Sequence, residues 1–177
     1  PVRLMRGVRL VAQLGFSLDE DTHEVIKRDS HLLSTVAPER LRDELLKTLA
    51  ERNASRHLRL MDDLGLLCRL IPELEDARGV EQPKEHYWDV FYHCLETPGQ
   101  VERLTTEKNR AGDEDISHSP WHPLLDAHFD EEISDGHTRR TLIKLAGLLH
   151  DVAKPATKSF EPTGRMRFLG HDIQGAE

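Results

Sequence analysis

Apolar residues recur at helical rather than alternating spacing along most of the 177-residue chain, a period that predicts a helical protein. Leu4, Val8 and Val11 mark a first helix over about 2–14, with Gly15 as its C-cap. Asp19 or Asp21 opens a second, which carries Val25 and Ile26 and ends before Leu32. Pro38 and Glu39 are helix-start residues, and Leu41, Leu45 and Leu49 then share one face of a third helix. Ser55 is the expected cap of a fourth, running through Leu58, Met61 and Leu64 to Gly65, with Pro72 closing the Leu66–Ile71 run.

The polar stretch from Glu75 to Lys84, with Gly79 and Pro83, reads as a linker. It divides the chain near residue 78 into a helical module over 1–77 and a second unit over 78–177. A helix over about 86–97 is followed by a polar, acidic stretch, 98–120, which is too long for a simple turn and is the expected mobile region. A short helix is expected from Leu124 to Ile133. A stronger one spans Thr138 to Val152, with Leu142, Leu145, Leu149 and Val152 as its buried stripe. No strand pattern is convincing, although Arg165–Leu169 can be extended. The expected fold is all-α: a short helical module followed by a helical bundle.

Composition sharpens this picture by exclusion. The mean hydropathy is −0.57, and apolar clusters such as Leu145–Leu149 fall far short of the roughly 20 residues that span a bilayer, so no membrane contact is expected. Cys68 and Cys94 are too far apart in sequence for a CxxC zinc site and too few for a disulfide framework. A reducing, cytoplasmic setting fits them. The chain begins at Pro1 and enters a helix at once without a leader pattern, so it reads as a piece of something longer. The net charge of −8 is uneven: residues 1–60 hold 11 Lys and Arg against 9 Asp and Glu, leaving 13 against 23 for the remainder. A mildly basic N-terminal part can lie beside nucleic acid, whereas the acidic part repels polyphosphate unless metal ions or local cations intervene. Arg3, Arg6 and Arg9, three residues apart, form one basic stripe that is either an RNA contact or a solvated face.

Eight of the eleven histidines lie from His86 to His171, among the carboxylates. The strongest local signal is Leu148–Leu149–His150–Asp151–Val152–Ala153–Lys154–Pro155, where a His-Asp pair ends an apolar helix. Neighbouring helix residues point about 100° apart, so this pair cannot close a site without ligands from other elements. His93 and His171 are the candidates. His93 is surrounded by Val90, Phe91, Cys94 and Leu95, which suits either a ligand or a hydrogen-bonded core histidine.

The order His93, then His150–Asp151, resembles that of the metal-dependent phosphohydrolase superfamily called HD domains. Gly170–His171–Asp172–Ile173–Gln174–Gly175–Ala176 is similar to the segment that supplies a further histidine there. The resemblance implies a divalent metal held by His93, His150 and Asp151, with His171 completing or flanking the site. It also calls for a final Asp, supplied after Glu177 or replaced by another carboxylate. Upstream, Pro1–Phe16 resembles the stretch by which bacterial tRNA nucleotidyltransferases and poly(A) polymerases pass from catalytic head to neck. Pro38-Glu-Arg-Leu-Arg-Asp-Glu44 is similar to their neck motif, and Gly79–Pro83 and His86–His93 to the lead-in of the HD domain that many members carry. The resemblance covers nearly the whole chain, in the family's order.

It implies RNA, tRNA or another RNA 3′ end, as the partner, and a nucleotide bound in a head upstream of Pro1, since no strand-borne Asp-x-Asp after a Gly-Ser occurs in these residues. Arg3 corresponds to the Arg that reads the incoming base, and Glu39, Arg40 and Glu44 to structural support of the neck. Two activities follow from it: nucleotidyl transfer by the parent, and hydrolysis of phosphomonoesters or 2′,3′-cyclic phosphates by the HD unit, with Lys154 neutralising the phosphate or else satisfying helix carbonyls. The alternative is a metal-free HD scaffold that positions RNA. Imidazole and carboxylate ligands suit Mn, Fe, Ni, Co or Zn, and Mg remains possible for the carboxylates. Oligomeric state is left open by the sequence.

Overall fold

A computed structural model describes residues 1–83, 87–106, 116 and 120–176. The all-α expectation holds: helix accounts for 63% and strand for 7%, and among the described residues the strands form two hairpins. The helices are α1 (Arg3–Leu14), α2 (Glu20–Asp29), a 3-10 segment (Ser30–Thr35), α3 (Pro38–Ala50), α4 (Ala54–Asp63), and the short α5 (Leu67–Leu70) and α6 (Glu73–Asp76). Then follow α7 (Val90–Thr105), α8 (Leu124–Asp130), the β1–β2 hairpin (Glu132–Ser134, His137–Thr138), α9 (Arg139–Leu149), α10 (Lys154–Thr157), the β3–β4 hairpin (Lys158–Phe160, Met166–Phe168) and α11 (His171–Gln174).

The caps explain most boundaries. Gly15 takes the left-handed conformation that ends α1, at φ 67°, and the Asp19 carboxylate accepts the Thr22 N–H to open α2. At α4, Asn53 rather than Ser55 is the N-cap residue. Ser55 has a different use. Its hydroxyl donates to the Glu96 carbonyl and accepts the Gly99 N–H on α7, at 3.2 and 3.0 Å. Those groups flank Pro98, which has no N–H to continue the ladder. The hydroxyl therefore carries α7 past its proline to Thr105, where the sequence suggested a stop near 97. A Cβ on Gly99 would lie 2.5 Å from the Ser55 oxygen, so only glycine admits this graft. Beyond Thr106 the expected mobile stretch lies outside the described residues except for Ile116 and Pro120.

The supposed linker is also partly structured. Gly79, at φ 72°, turns the chain back so that its N–H reaches the Asp89 carboxylate. Val90 and Phe91 then bond to the carbonyls of Val80 and Ala77. Asp89 also caps α7 through the Tyr92 N–H at 2.8 Å, which places the start of that helix at Val90 rather than 86. Residues 84–86 lie outside the described set. One buried cluster runs from Met5 and Val8 through Leu45, Leu58 and Ala77 to Phe91, Leu95 and Leu148, so both halves of the chain share a core.

Helix α9 departs most from its sequence reading. Its buried residues are Thr141, Lys144, Gly147 and Leu148, while Leu142, Leu145 and Leu149 are half-buried. Lys144 is only 1% exposed. Its ammonium donates to the carbonyls of Leu49 and Glu51, both at 2.9 Å, at the end of α3, and pairs with Glu102 at 3.3 Å. Glu102 in turn accepts the N–H groups of Asn53 and Ala54 at the start of α4. Burial pushes the Lys144 pKa down, against the attraction of Glu102. Removing one member leaves the other charge uncompensated in the core. Lys144→Met is expected to cost about 3–5 kcal/mol in urea denaturation, and Lys144→Met/Glu102→Gln less than the sum of the single changes.

A candidate metal centre at the α7–α9 junction

His93 lies one turn into α7 and His150 follows the last residue of α9. The two helices pack more extensively on each other than any other pair. Gly147, one turn before His150, permits this approach, since a Cβ there would lie 3.1 Å from the Thr97 methyl. Thr97 sits one turn beyond His93 and donates to its carbonyl at 2.8 Å. The glycine–threonine contact thus sets the gap in which the imidazoles meet. Their Nε2 atoms are 3.2 Å apart.

Asp151 closes the group. It is 2% exposed, and its Oδ2 lies 3.3 Å from His93 Nε2, 3.1 Å from His150 Nε2 and 2.6 Å from the Lys154 ammonium. Its Oδ1 faces His171 Nε2 at 3.4 Å. Burial alone would raise the Asp151 pKa, but hydrogen bonds from His150, His93 and Lys154 outweigh it and hold the carboxyl well below the usual range. The bond to Asp151, opposed by burial, raises the pKa of His150.

The outer nitrogens decide what the inner ones offer. His150 Nδ1 faces the Gly147 carbonyl at 2.8 Å and His171 Nδ1 faces the Phe168 carbonyl at 2.6 Å. A carbonyl only accepts, so each Nδ1 carries a proton; a second proton on His150 Nε2 serves the hydrogen bond to Asp151, and its loss leaves Nε2 a lone pair that can face an ion. Two imidazole nitrogens and a carboxylate facing one another suit a cation between them, beside the Lys154 ammonium that already contacts Asp151. His93, His150 and Asp151, whose ligand atoms lie within 4.8 Å of one another, can supply that cation a binding place. The donor chemistry fits a divalent transition ion. Cys94 does not compete for it: burial pushes its thiol up to about 12.

The remaining residues singled out in the sequence fall elsewhere. Arg9 is not on an exposed stripe but half-buried, donating to Glu44 at 2.8 Å and to Gln13, with Arg6 3.9 Å from the same carboxylate. This joins α1 to the neck-like motif of α3, whose Glu39 and Arg40 are exposed. Arg3 and Arg6 remain at the surface. Gln82 carried no sequence signal as a site residue, yet its Oε1 accepts from Lys154 at 2.7 Å and fixes that ammonium. Phe168 was equally silent; its ring lies 5.4 Å from the same ammonium.

The arrangement defines a helical protein with a His-Asp centre, and comparison with known proteins adds to it. Residues 15–78 match the family described as "Probable RNA and SrmB- binding site of polymerase A". The chain is 33% identical over 183 residues to the A-adding tRNA nucleotidyltransferase of Deinococcus radiodurans, covering 100% of this chain and 35% of that protein. It is 33% identical over 185 residues to the CC-adding tRNA nucleotidyltransferase of Thermus thermophilus, covering 99% and 35%. The CCA-adding enzyme of a Geobacillus species is 41% identical over 99 residues, covering 56% and 24%. The chain thus spans about a third of the length of the first two relatives. In the first two of these comparisons the similarity runs along essentially the whole of this chain.

If the Gly147 contact sets the ligand gap, Gly147→Ala is expected to weaken divalent-ion binding about tenfold by calorimetry, a loss comparable to that from disturbed outer-shell groups. Adding Thr97→Ser, which removes the opposing methyl, is expected to restore most of it.

Proposed function

We propose that residues 78–177 form an HD-type metal-dependent phosphohydrolase unit, carried behind a neck and body module, residues 1–77, of an RNA 3′-end nucleotidyltransferase. The convergence of His93, His150 and Asp151 from two helices, with the His150 proton committed to Gly147, is the observation that carries the hydrolase reading. The relatives' names support the transferase parent, and the match over 15–78 supports RNA as its partner. Arg3 and Arg6 present cations beside that region, where RNA phosphate or an incoming nucleotide is the fitting ligand.

His93, His150 and Asp151 would hold the ion, which supplies Lewis acidity and a water whose pKa falls towards neutrality. Lys154 keeps two of its three N–H donors on Asp151 and Gln82 and offers the third to a phosphate oxygen. His171, its ring fixed by Phe168, keeps Nε2 towards Asp151 and can hold or receive a proton at the edge of the site. The substrates of this reading are phosphomonoesters or 2′,3′-cyclic phosphates at RNA ends. A second reading is favoured by one distance: at 2.6 Å the Lys154 ammonium already neutralises Asp151, as a metal-free, RNA-positioning scaffold would need.

Metal content and hydrolysis of a generic phosphodiester separate the two. Manganese or nickel is expected to bind the wild-type chain and to switch on hydrolysis, while His150→Ala or Asp151→Asn lowers ion affinity at least a hundredfold. A folded chain that takes up no ion at saturating manganese or nickel leaves the scaffold. For the N-terminal part, Arg3→Gln/Arg6→Gln is expected to reduce the salt slope of single-stranded RNA binding by about 1.4, or about 0.7 per lost phosphate contact. An unchanged slope removes these two arginines from the RNA surface.

A further inference from the structure

A cleft of about 870 Å³ opens beside the His-Asp centre and shares two residues with it, Lys154 and His171. Its far wall is the β3–β4 hairpin. The chain reverses there through a three-residue loop, Pro162–Thr163–Gly164, closed by the Glu161 N–H on the Arg165 carbonyl at 2.9 Å, with Gly164 at φ 80°. Strand pairing of Phe160 with Met166 and of Lys158 with Phe168 fixes which side chains surround the opening. A cavity of this volume is in the range that holds a nucleotide-sized ligand.

The lining combines two features that a solvated hairpin does not need. Phe160 is 64% exposed and lies at the cleft. The Lys158 ammonium is 5.9 Å from its ring centroid. Arg165 is exposed and makes no ion pair among the described residues, whereas Arg167 is held by Glu161 at 2.8 Å. Glu81 is the acidic member of the lining, against Lys154, Arg165 and Arg167. Lys154 and Arg167 are matched by Asp151 and Glu161, so exposed Arg165 and half-buried Lys158 are the cations that this lining leaves beside the aromatic face, with Glu161 also acting on Arg165. An aromatic platform flanked by exposed arginine is how a single-stranded nucleic acid is held without base-edge readout.

We propose that this cleft is a nucleotide subsite for an RNA 3′ end: the terminal base stacks on Phe160, its phosphate points past Lys154 towards the His-Asp centre, and Arg165 takes the preceding phosphate. The inference rests on the hydrolase reading for the chemistry at that phosphate, but binding in the cleft stands apart from it. It makes the preferred substrate an oligonucleotide end rather than a small free phosphate ester, and it adds an RNA contact remote in sequence from residues 15–78.

A short single-stranded RNA with 2-aminopurine as its last base and a 3′-phosphate tests it on the full chain. Binding is expected to quench the fluorescent base by stacking. Phe160→Ala is expected to abolish the quench and weaken affinity on the order of tenfold, and Arg165→Gln to reduce the salt slope by about 0.7. Both residues are exposed, so the thermal midpoint of each variant should stay at the wild-type value. Wild-type quench, affinity and salt slope in both folded variants overturn the subsite. Hydrolysis of a generic phosphodiester by the wild-type chain with manganese is measured in parallel. Its absence, with the quench lost in Phe160→Ala, overturns the hydrolase reading and leaves the subsite supported.

Discussion

The buried pair of Lys144 and Glu102 is the constraint on which the rest of the arrangement hangs. Two charges taken out of water are costly, and their attraction offsets that cost only when every remaining donor and acceptor is satisfied. Here they are matched to the α3–α4 corner, where helix ends leave two carbonyls and two N–H groups without intrahelical partners. Lys144 takes the carbonyls and Glu102 the N–H groups. Because Lys144 belongs to α9 and Glu102 to α7, the corner of the N-terminal module fixes the relative position of the two helices that carry the His-Asp centre. From Lys144 to His150 is six residues, about 9 Å of helix, so the clamp at the middle of α9 and the ligand at its C-terminal end belong to one short rigid element.

Between them, Gly147 removes the last obstacle to close contact. It does so twice, by having no side chain against Thr97 and by presenting its carbonyl to His150. The same backbone position thus brings the helices together and selects the imidazole tautomer. Asp151 then gathers two histidines and Lys154 on one oxygen and His171 on the other. The packing of α7 on α9 sets the approach of the two imidazoles, and Asp151 with Lys154 supplies attraction within the centre.

The N-terminal module uses charge more sparingly. Arg9 and Glu44 tie α1 to α3, turning part of an apparent basic surface into a structural contact and leaving Arg3 and Arg6 outside. Beside the His-Asp centre, the β3–β4 hairpin leaves Arg165 and Phe160 exposed at the cleft. Exposed arginines thus stand both on α1 and at the cleft, although the overall charge is −8.

Helical period, caps and turn residues made α1, α2, α3 and the apolar part of α4 legible in the sequence, because each depends on neighbours within one or two turns. The His150–Asp151 pair was legible for a related reason: two ionisable groups at the end of an apolar helix are costly without a use. The stripe of α9 was misread because a lysine counts as polar, and only the distant carbonyls of Leu49 and Glu51 make its burial favourable. Pro98 suggested a helix stop because the hydroxyl that bridges it comes from Ser55, 43 positions earlier in the numbering. Periodicity carries the one-dimensional part of the fold, set by backbone geometry. Which groups share a proton, a charge or a ligand gap is decided by contacts between residues far apart in the chain, and those exist only once the helices have packed.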